Sequence, residues 1–232
     1  MNLNVLTVKY SIFGSYDFVD NTPENVSKLY EEFNQDGFMP NMVTLLKIEQ
    51  PQNKVMQLLR PQLVNQVMPC TITILPERVD VETGINVKLD NIITFFDRIL
   101  QMFELKINRI AVNKSTIIDE LTKEEAAKLK DKLTPPETYK GEHNLIEYAS
   151  HRVARKRVDS LGELINVGRN VTGISTANAG EINRVQVDTD INTLGENTKE
   201  RFEIEDCRSF FEDALRSDQE ILENMVGIIN AE

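Results

Sequence analysis

The stretch RVQVDTDINT (residues 184–193) alternates, residue by residue, between side chains that favour burial and side chains that favour water. Alternate residues of a strand point to opposite faces of its sheet, so this period of two predicts a strand with one covered face and one solvated face. Such strands are typical of antiparallel sheets that carry helices on one side. The residues predicted to face the core are Val185, Val187, Thr189 and Ile191, and those predicted to face water are Arg184, Gln186, Asp188, Asp190 and Asn192.

Other segments of the chain have the composition of strands. They are rich in β-branched and aromatic residues and are bounded by turn-forming residues. The predicted strands are 3–13, 42–49, 54–60, 70–75, 78–83, 105–114, 145–158, 161–174 and 182–193. The segment GRNVTGISTANAG (residues 168–180) is expected to be a strand end followed by a long flexible hairpin loop.

Four helices are predicted from apolar residues at helical spacing and from capping residues. Thr22 is expected to cap the first helix, which Gly37 ends, and Asp90 or Asn91 opens the second. Thr122 and Glu125 have the spacing of a capping box for the third helix, which stops before Pro135. The fourth helix is predicted over residues 205–226, and one of its adjacent phenylalanines, 210 and 211, is expected at the flank of the apolar stripe.

These elements predict an α+β fold in which one or more antiparallel sheets are backed by helices. Residues 1–232 are expected to form a single compact unit. Two structural halves, 1–104 and 105–232, repeat the order β-α-β-β-β-α without sequence identity, which suggests a duplication of topology. The duplicated saddle of the TATA-box-binding protein has this order of elements, an analogy of fold alone.

The composition excludes several classes of protein. The net charge of −11, with −9 of it in residues 185–232, opposes binding to nucleic acid or to an anionic membrane surface. No run approaches the roughly 18 apolar residues of a membrane helix, and the N-terminus lacks the pattern of a signal peptide. Cys70 and Cys207 are expected to be buried and reduced. A soluble, acidic, cytoplasmic protein is the prediction.

A polar and partly basic sheet face is the main candidate for binding. If the strands within 145–192 are neighbours, their polar residues share a surface that suits an acidic partner or a nucleotide. The alternative is that the basic side chains pair with nearby carboxylates and keep exposed strands soluble. The candidate binding residues are Arg155, Arg157, Arg169, Arg184, Asp188 and Asp190, with Arg152 and Lys156 in the same basic segment.

Motifs for catalysis or cofactor binding are weak. Asp188 and Asp190 point the same way on one strand and would suit a divalent cation, although a solvated strand face explains them equally simply. His143 and His151 lack partners at metal-ligand spacing, and no glycine-rich phosphate loop occurs. No catalytic residue, metal ligand or cofactor is therefore assigned.

Three segments carry a resemblance: INRIAVN (107–113), VDTDIN (187–192) and the helical CRSFFEDAL (207–215). The chain resembles a sporadically distributed family of prokaryotic proteins of similar length that has no established activity. The resemblance implies a setting in mobile elements or phage-related genes and supplies no catalytic residues.

The function predicted from the sequence is a non-enzymatic binding or structural protein. A protein partner or self-association as a homo-oligomer is expected, whereas nucleic acid and membrane partners are not. The alternative is a metal-dependent hydrolase or nuclease-like enzyme that uses Asp188 and Asp190.

Overall fold

The structure, a computed structural model, describes residues 1–49, 54–84, 87–134, 147–175 and 182–231. These residues form nine strands, four α-helices and one short 3₁₀ helix. The strands are β1 (Asn2–Phe13), β2 (Phe38–Glu49), β3 (Lys54–Asn65), β4 (Cys70–Leu75), β5 (Arg78–Thr83), β6 (Arg109–Asp119), β7 (Glu147–Val158), β8 (Glu163–Ser175) and β9 (Ile182–Thr193). The helices are α1 (Pro23–Phe33), α2 (Leu89–Phe103), α3 (Lys123–Leu133) and α4 (Ile204–Asn230).

All nine strands belong to one sheet, in the order β2-β3-β4-β5-β1-β6-β9-β8-β7. Strands make up about 46% of the chain and helices about 33%. The predicted antiparallel sheet with helices is therefore confirmed, but the fold is mostly sheet and fits the α+β class only loosely. Within the described ranges, no helix is both long enough and apolar enough to cross a membrane.

The chain divides into two compact units that differ from the predicted halves. The β6–β9 unit contains residues 1–8, 111–194 and 209–232. The β2–β5 unit contains residues 9–110 and 195–208. The predicted duplication over 1–104 and 105–232 stays a prediction.

The β2–β5 unit is built around aromatic and aliphatic side chains. Phe33, Phe38 and Phe95 pack edge to face, with ring centroids 5.2 to 6.1 Å apart. The predicted N-cap of α1 is confirmed, since Thr22 accepts from the backbone N–H of Asn25. α1 itself ends at Phe33, earlier than predicted, and Gly37, with a left-handed φ of 83°, ends the short 3₁₀ helix that follows it. Helices and strands therefore both contribute to the core of this unit, since Phe33 and Phe95 belong to α1 and α2 and Phe38 belongs to β2.

The β6–β9 unit has its own apolar core. Its strands supply Ile118, Val171, Val185 and Val187, while α3 supplies Leu129. The buried residues of α4 complete this cluster with Leu222, Met225 and Ile229. The predicted alternation of β9 is confirmed up to Ile191, because its apolar set is buried and Asp190 on the other face is exposed, but Asn192, which was predicted to face water, is buried.

Several predicted boundaries were wrong for physical reasons. β3 continues past the predicted end at Arg60 and includes Pro61. Proline has no N–H to donate to a sheet, but Pro61 is paired only with Met42 of β2, because the pairing of β3 with β4 begins at Gln62. β8 begins at Glu163, two residues later than predicted, and runs to Ser175, so the first part of 168–180 is the predicted strand end, and residues 176–181 lie outside the described residues. β6 begins at Arg109, four residues later than predicted.

The adjacent phenylalanines of α4 are both covered by the rest of the chain. Phe210 and Phe211 are fully buried, and their rings meet at 66° with centroids 6.0 Å apart. The expectation that one of them lies at the flank of the apolar stripe, over a strand edge or a partner chain, stays a prediction. Successive residues of a helix are about 100° apart, so two large side chains are both covered only where the buried arc is broad.

Candidate functional site

The register of β7, β8 and β9 divides the candidate binding residues between the two faces of the sheet. The three strands are neighbours, which is the condition on which the predicted polar face depended. Arg169 lies opposite both Arg152 on β7 and the buried Thr189 on β9. Directly opposed residues of antiparallel strands share a face. Arg169 therefore lies on the face that α4 covers, whereas Asp188 and Asp190 lie on the opposite one.

Two arginines meet at a cavity on the face covered by α4. This cavity has a volume of about 470 Å³, and its lining combines the two guanidinium side chains with aliphatic ones. We call it the Arg152–Arg169 cavity. Its lining residues are Arg152, Val153, Ala154, Val167, Arg169 and Ile221. A cavity of this composition suits a group that is anionic at one end and apolar beside it.

The row of residues that contains the two arginines continues across the sheet. Arg152, Arg169, Thr189 and Lys114 lie opposite one another on β7, β8, β9 and β6. Asp218 of α4 is 2% exposed and accepts a hydrogen bond from the Thr189 hydroxyl at 2.8 Å. The ammonium of Lys114 donates to the other carboxylate oxygen. One cation of the row is thus matched by a buried anion.

The two arginines of the row are not matched in this way. Within the ranges that the structure describes, neither Arg152 nor Arg169 forms an ion pair or a side-chain hydrogen bond. Burial, and then the positive charge of Arg152, lower the pKa of the Arg169 guanidinium. Arg169 nevertheless stays charged at neutral pH, because an arginine titrates far above that range. The cavity therefore carries uncompensated positive charge.

The opposite face of the sheet is polar but internally paired. Asp188 accepts from Ser115 at 2.7 Å and from Gln186 at 2.9 Å. Asp190 accepts from the Asn192 amide at 3.0 Å. The alternative interpretation of the sequence paired these two carboxylates with basic side chains, whereas their donors here are the neutral side chains of Ser115, Gln186 and Asn192.

The remaining arginines of the candidate set also have partners. Arg184 forms an ion pair with Asp119 at 2.8 Å, and its hydrogen bond to that carboxylate raises the pKa of Arg184 and lowers the pKa of Asp119. Arg157 is exposed and lies 3.8 Å from Asp159. Arg155 is exposed on the same side of β7 and also interacts within the chain. Of the six candidates, only Arg169 lines the cavity.

The metal hypothesis finds no ligand set in the described part of the chain. Nowhere in these residues do three or more histidine, cysteine, aspartate or glutamate side chains form a group that could hold a metal ion. His151 is exposed on β7, and His143 lies outside the described residues. The alternative function, a metal-dependent enzyme that uses Asp188 and Asp190, is therefore supported only by the spacing of these two residues in the sequence.

A second cavity, of about 520 Å³, lies in the β2–β5 unit. Its polar lining is mainly acidic, with Asp97, Glu104 and Glu203 beside Lys106. The sign of its charge is that of the whole chain, so it does not stand out from the surface as the Arg152–Arg169 cavity does. Volume alone would favour this second cavity as the binding site, whereas the uncompensated positive charge favours the Arg152–Arg169 cavity.

Sequence reasoning missed Asp218, although a signal was present. The apolar stripe of α4 runs through Phe211, Ala214, Leu222 and Met225, and Asp218 occupies the position where the next apolar residue is expected. An ionisable residue inside a buried stripe needs a partner of opposite charge. The interruption of the apolar stripe by an aspartate is therefore a signal, present in the sequence alone, of a polar layer beneath α4.

Comparisons with known proteins add no relative. No protein-family model matches the chain, and no curated protein matches it.

Proposed function

We propose that this chain is a non-enzymatic binding protein that recognises an acidic protein partner through the Arg152–Arg169 cavity. In this proposal a carboxylate of the partner enters the cavity and becomes the counter-ion of Arg152 and Arg169. Aliphatic groups of the partner contact the apolar lining, in particular Val167 and Ile221.

The observation that carries the proposal is the pair of arginines without a counter-ion in the described residues. Two like charges on facing residues repel each other, and partial burial adds a desolvation cost to Arg169. A bound carboxylate counters the repulsion between the two guanidinium groups and offsets the desolvation cost of Arg169 by its own attraction to them. Arginine also matches carboxylates geometrically, because its planar fork donates two parallel hydrogen bonds.

A protein carboxylate suits this site better than a nucleic acid phosphate does. The strong negative charge of the chain opposes a polyphosphate backbone. Proteins that bind single-stranded nucleic acid usually offer aromatic side chains on which the bases stack. Among the described residues, those that line the cavity include no aromatic side chain.

The test is a binding titration with a defined acidic probe. A fluorescein-labelled, N-acetylated decapeptide of glutamate is titrated with the protein in 0.15 M salt, where screening limits repulsion by distant acidic residues to roughly 8 Å. Fluorescence anisotropy reports the binding. Arg169→Gln should weaken binding at least about tenfold, because a charge-assisted pair that excludes water is lost.

Arg216→Gln is the matched control. Arg216 is on α4 of the same unit, is 68% exposed and does not line the cavity. Arg216→Gln removes one positive charge, as Arg169→Gln does, but at an exposed site outside the cavity. It should therefore change the affinity for the peptide less than about twofold. Equal loss in both variants would show that only net charge matters and would refute the proposal. Tighter binding of a single-stranded oligonucleotide than of the peptide would contradict the choice of a protein partner.

The proposal also includes the setting and the assembly that the sequence suggests. We propose a cytoplasmic setting, because the two buried thiols, Cys70 and Cys207, suit a reducing compartment. A homo-oligomer is proposed in addition, and light scattering after size-exclusion chromatography gives the mass that tests it. A mass equal to that of one chain at all concentrations would exclude self-association.

A further inference from the structure

We infer that the acidic partner binds as an extended strand that pairs with the outer edge of β7. This inference rests on the proposed function and adds to it the conformation of the partner and its place on the sheet. Strand addition to an exposed sheet edge is a general mode of peptide recognition, in which main-chain hydrogen bonds give affinity and alternate side chains give specificity.

β7 is a terminal strand of the sheet. It pairs with β8 along all twelve of its residues, from Glu147 to Val158. No other described strand pairs with its second side. The N–H and C=O groups on that side therefore offer a template for a further strand.

β7 lacks two of the devices that commonly protect a sheet edge. It contains no proline, and its register with β8 runs without a bulge. The side chains from His151 to Arg157 are all exposed. What the edge does carry is charge, and charge repels some partners while it attracts others.

The charge of β7 selects an acidic strand. Its sequence EYASHRVARKRV holds four basic residues and one acidic residue, in a chain whose net charge is −11. Three of the four basic side chains also interact within the chain, whereas Arg152 has no ion pair among the described residues, so Arg152 is the main attraction for an acidic strand. Charges of opposite sign on directly opposed residues of neighbouring strands stabilise the pairing, and like charges destabilise it. A second copy of this acidic chain is a poorer match than a segment rich in glutamate or aspartate.

The Arg152–Arg169 cavity lies at the same edge. Arg152 belongs to β7 and Arg169 to the next strand inward. A residue of the added strand opposite Arg152 would have its Cβ about 5 Å away, on the face that leads into the cavity. An acidic side chain at that position extends the row Arg152, Arg169, Thr189 and Lys114 by one counter-ion. Edge pairing and carboxylate recognition thus favour the same placement of the partner.

The experiment uses a labelled, N-acetylated decapeptide that alternates glutamate and valine, and two N-methylated versions of it. One version is methylated on the glutamate amides and the other on the valine amides. N-methylation removes hydrogen-bond donors but leaves the charge and the side chains unchanged. Because the N–H groups of a strand point alternately to either side, at least one methylated series should bind at least about tenfold more weakly to the intact protein.

The outcomes separate this inference from the proposed function. If Arg169→Gln weakens binding while neither methylated series changes it more than about twofold, the cavity recognises the partner but strand pairing is wrong. If Arg169→Gln has no effect, the proposed function itself fails. Tighter binding of an acidic peptide that is helical in solution would also overturn the inference. The far-ultraviolet circular dichroism of Arg169→Gln, compared with that of the unaltered protein, shows that the variant is folded.

Discussion

Asp218 illustrates at the scale of single residues how this chain buries charge. Its carboxylate is 2% exposed and accepts from both the Lys114 ammonium and the Thr189 hydroxyl. Each carboxylate oxygen thus has a donor of its own. A buried ion pair of this kind adds little net stability over apolar packing, but the removal of one partner leaves an uncompensated charge.

Lys114→Met is expected to lower the free energy of unfolding by about 3 to 5 kcal/mol, because Asp218 then keeps a buried charge without its cation. Chemical denaturation with urea measures this change. The double variant Lys114→Met with Asp218→Leu is the control, since it removes both charges, and it should regain most of the loss. Thr189 keeps an acceptor in that variant, the backbone carbonyl of residue 114 at 3.5 Å. A loss below about 1 kcal/mol in the single variant would contradict the assigned role of the pair.

Arg169 is the counterpart of Asp218 in the same row, and the contrast defines the site. Asp218 has two donors, whereas Arg169 has no ion-pair partner in the described residues and has Arg152 as a neighbour of like charge. The sequence predicted Arg169 as a binding residue but placed it on the same face as Asp188. The error arose because the register between β8 and β9 decides which residues of β8 share a face with Asp188, and a single sequence does not determine that register.

At the scale of elements, local signals were the reliable ones. The N-caps of α1 and α3 are confirmed because each depends on residues within three or four positions of one another. Strand bounds were less accurate, because the extent of β3 depends on the neighbours to which it is hydrogen-bonded. Local chemistry therefore predicted these two N-caps, whereas pairing between distant segments determined the extent of strands such as β3.

The capping box of α3 gives a pH-dependent prediction. Thr122 accepts from the backbone N–H of Glu125 at 3.3 Å, and Glu125 accepts from the backbone N–H of Thr122 at 2.8 Å. The second bond is the main reason that the pKa of Glu125 is lowered. A carboxyl group with a lowered pKa in the folded state stabilises the fold above its unfolded pKa, about 4.3, and this stabilisation disappears as the pH falls through its folded pKa.

Thr122→Ala is expected to lower the free energy of unfolding by about 1 kcal/mol at pH 7. Glu125→Gln should also be less stable than the unaltered protein at pH 7, and this difference should shrink as the pH falls below about 4.3, because protonated glutamate then also lacks the charge. Denaturation at a series of pH values measures both effects. Glu124→Gln, which changes the neighbouring first-turn residue outside the capping box, is the control and should show a smaller change. A difference for Glu125→Gln that is constant with pH would contradict this account.

At the scale of the whole molecule, the strand order has a regularity that the sequence suggested. The first strand of each predicted half lies beside the last strand of that half, as β1 beside β5 and β6 beside β9. The other strands then follow in reverse order, as β4-β3-β2 and β8-β7. The first half has one strand more than the second. The duplication itself stays a prediction, and superposition of residues 1–104 on 105–232 is its test.

The two thiols test the stability of one compact unit. Cys70 is 3% exposed and Cys207 is fully buried, and both belong to the β2–β5 unit. Burial raises the pKa of Cys70 to about 12. Burial, followed by the charges of Asp206 and Glu203, raises the pKa of Cys207. Both thiols therefore stay protonated in the folded state at neutral pH, and the thiolate is the reactive form.

We expect both thiols to react slowly and at the same rate with an aromatic disulfide reagent at pH 7, because each becomes accessible only when the β2–β5 unit opens. Absorbance of the released thiolate measures the rate, and the protein in guanidinium chloride gives the rate of exposed thiols. Above about pH 8.5 the unfolded state loses its thiol protons while the folded state retains them, so stability falls and the reaction accelerates beyond the effect of ionisation alone. If one thiol reacted in buffer as fast as in denaturant, that cysteine would lie in a part of the chain that opens without the rest of the unit.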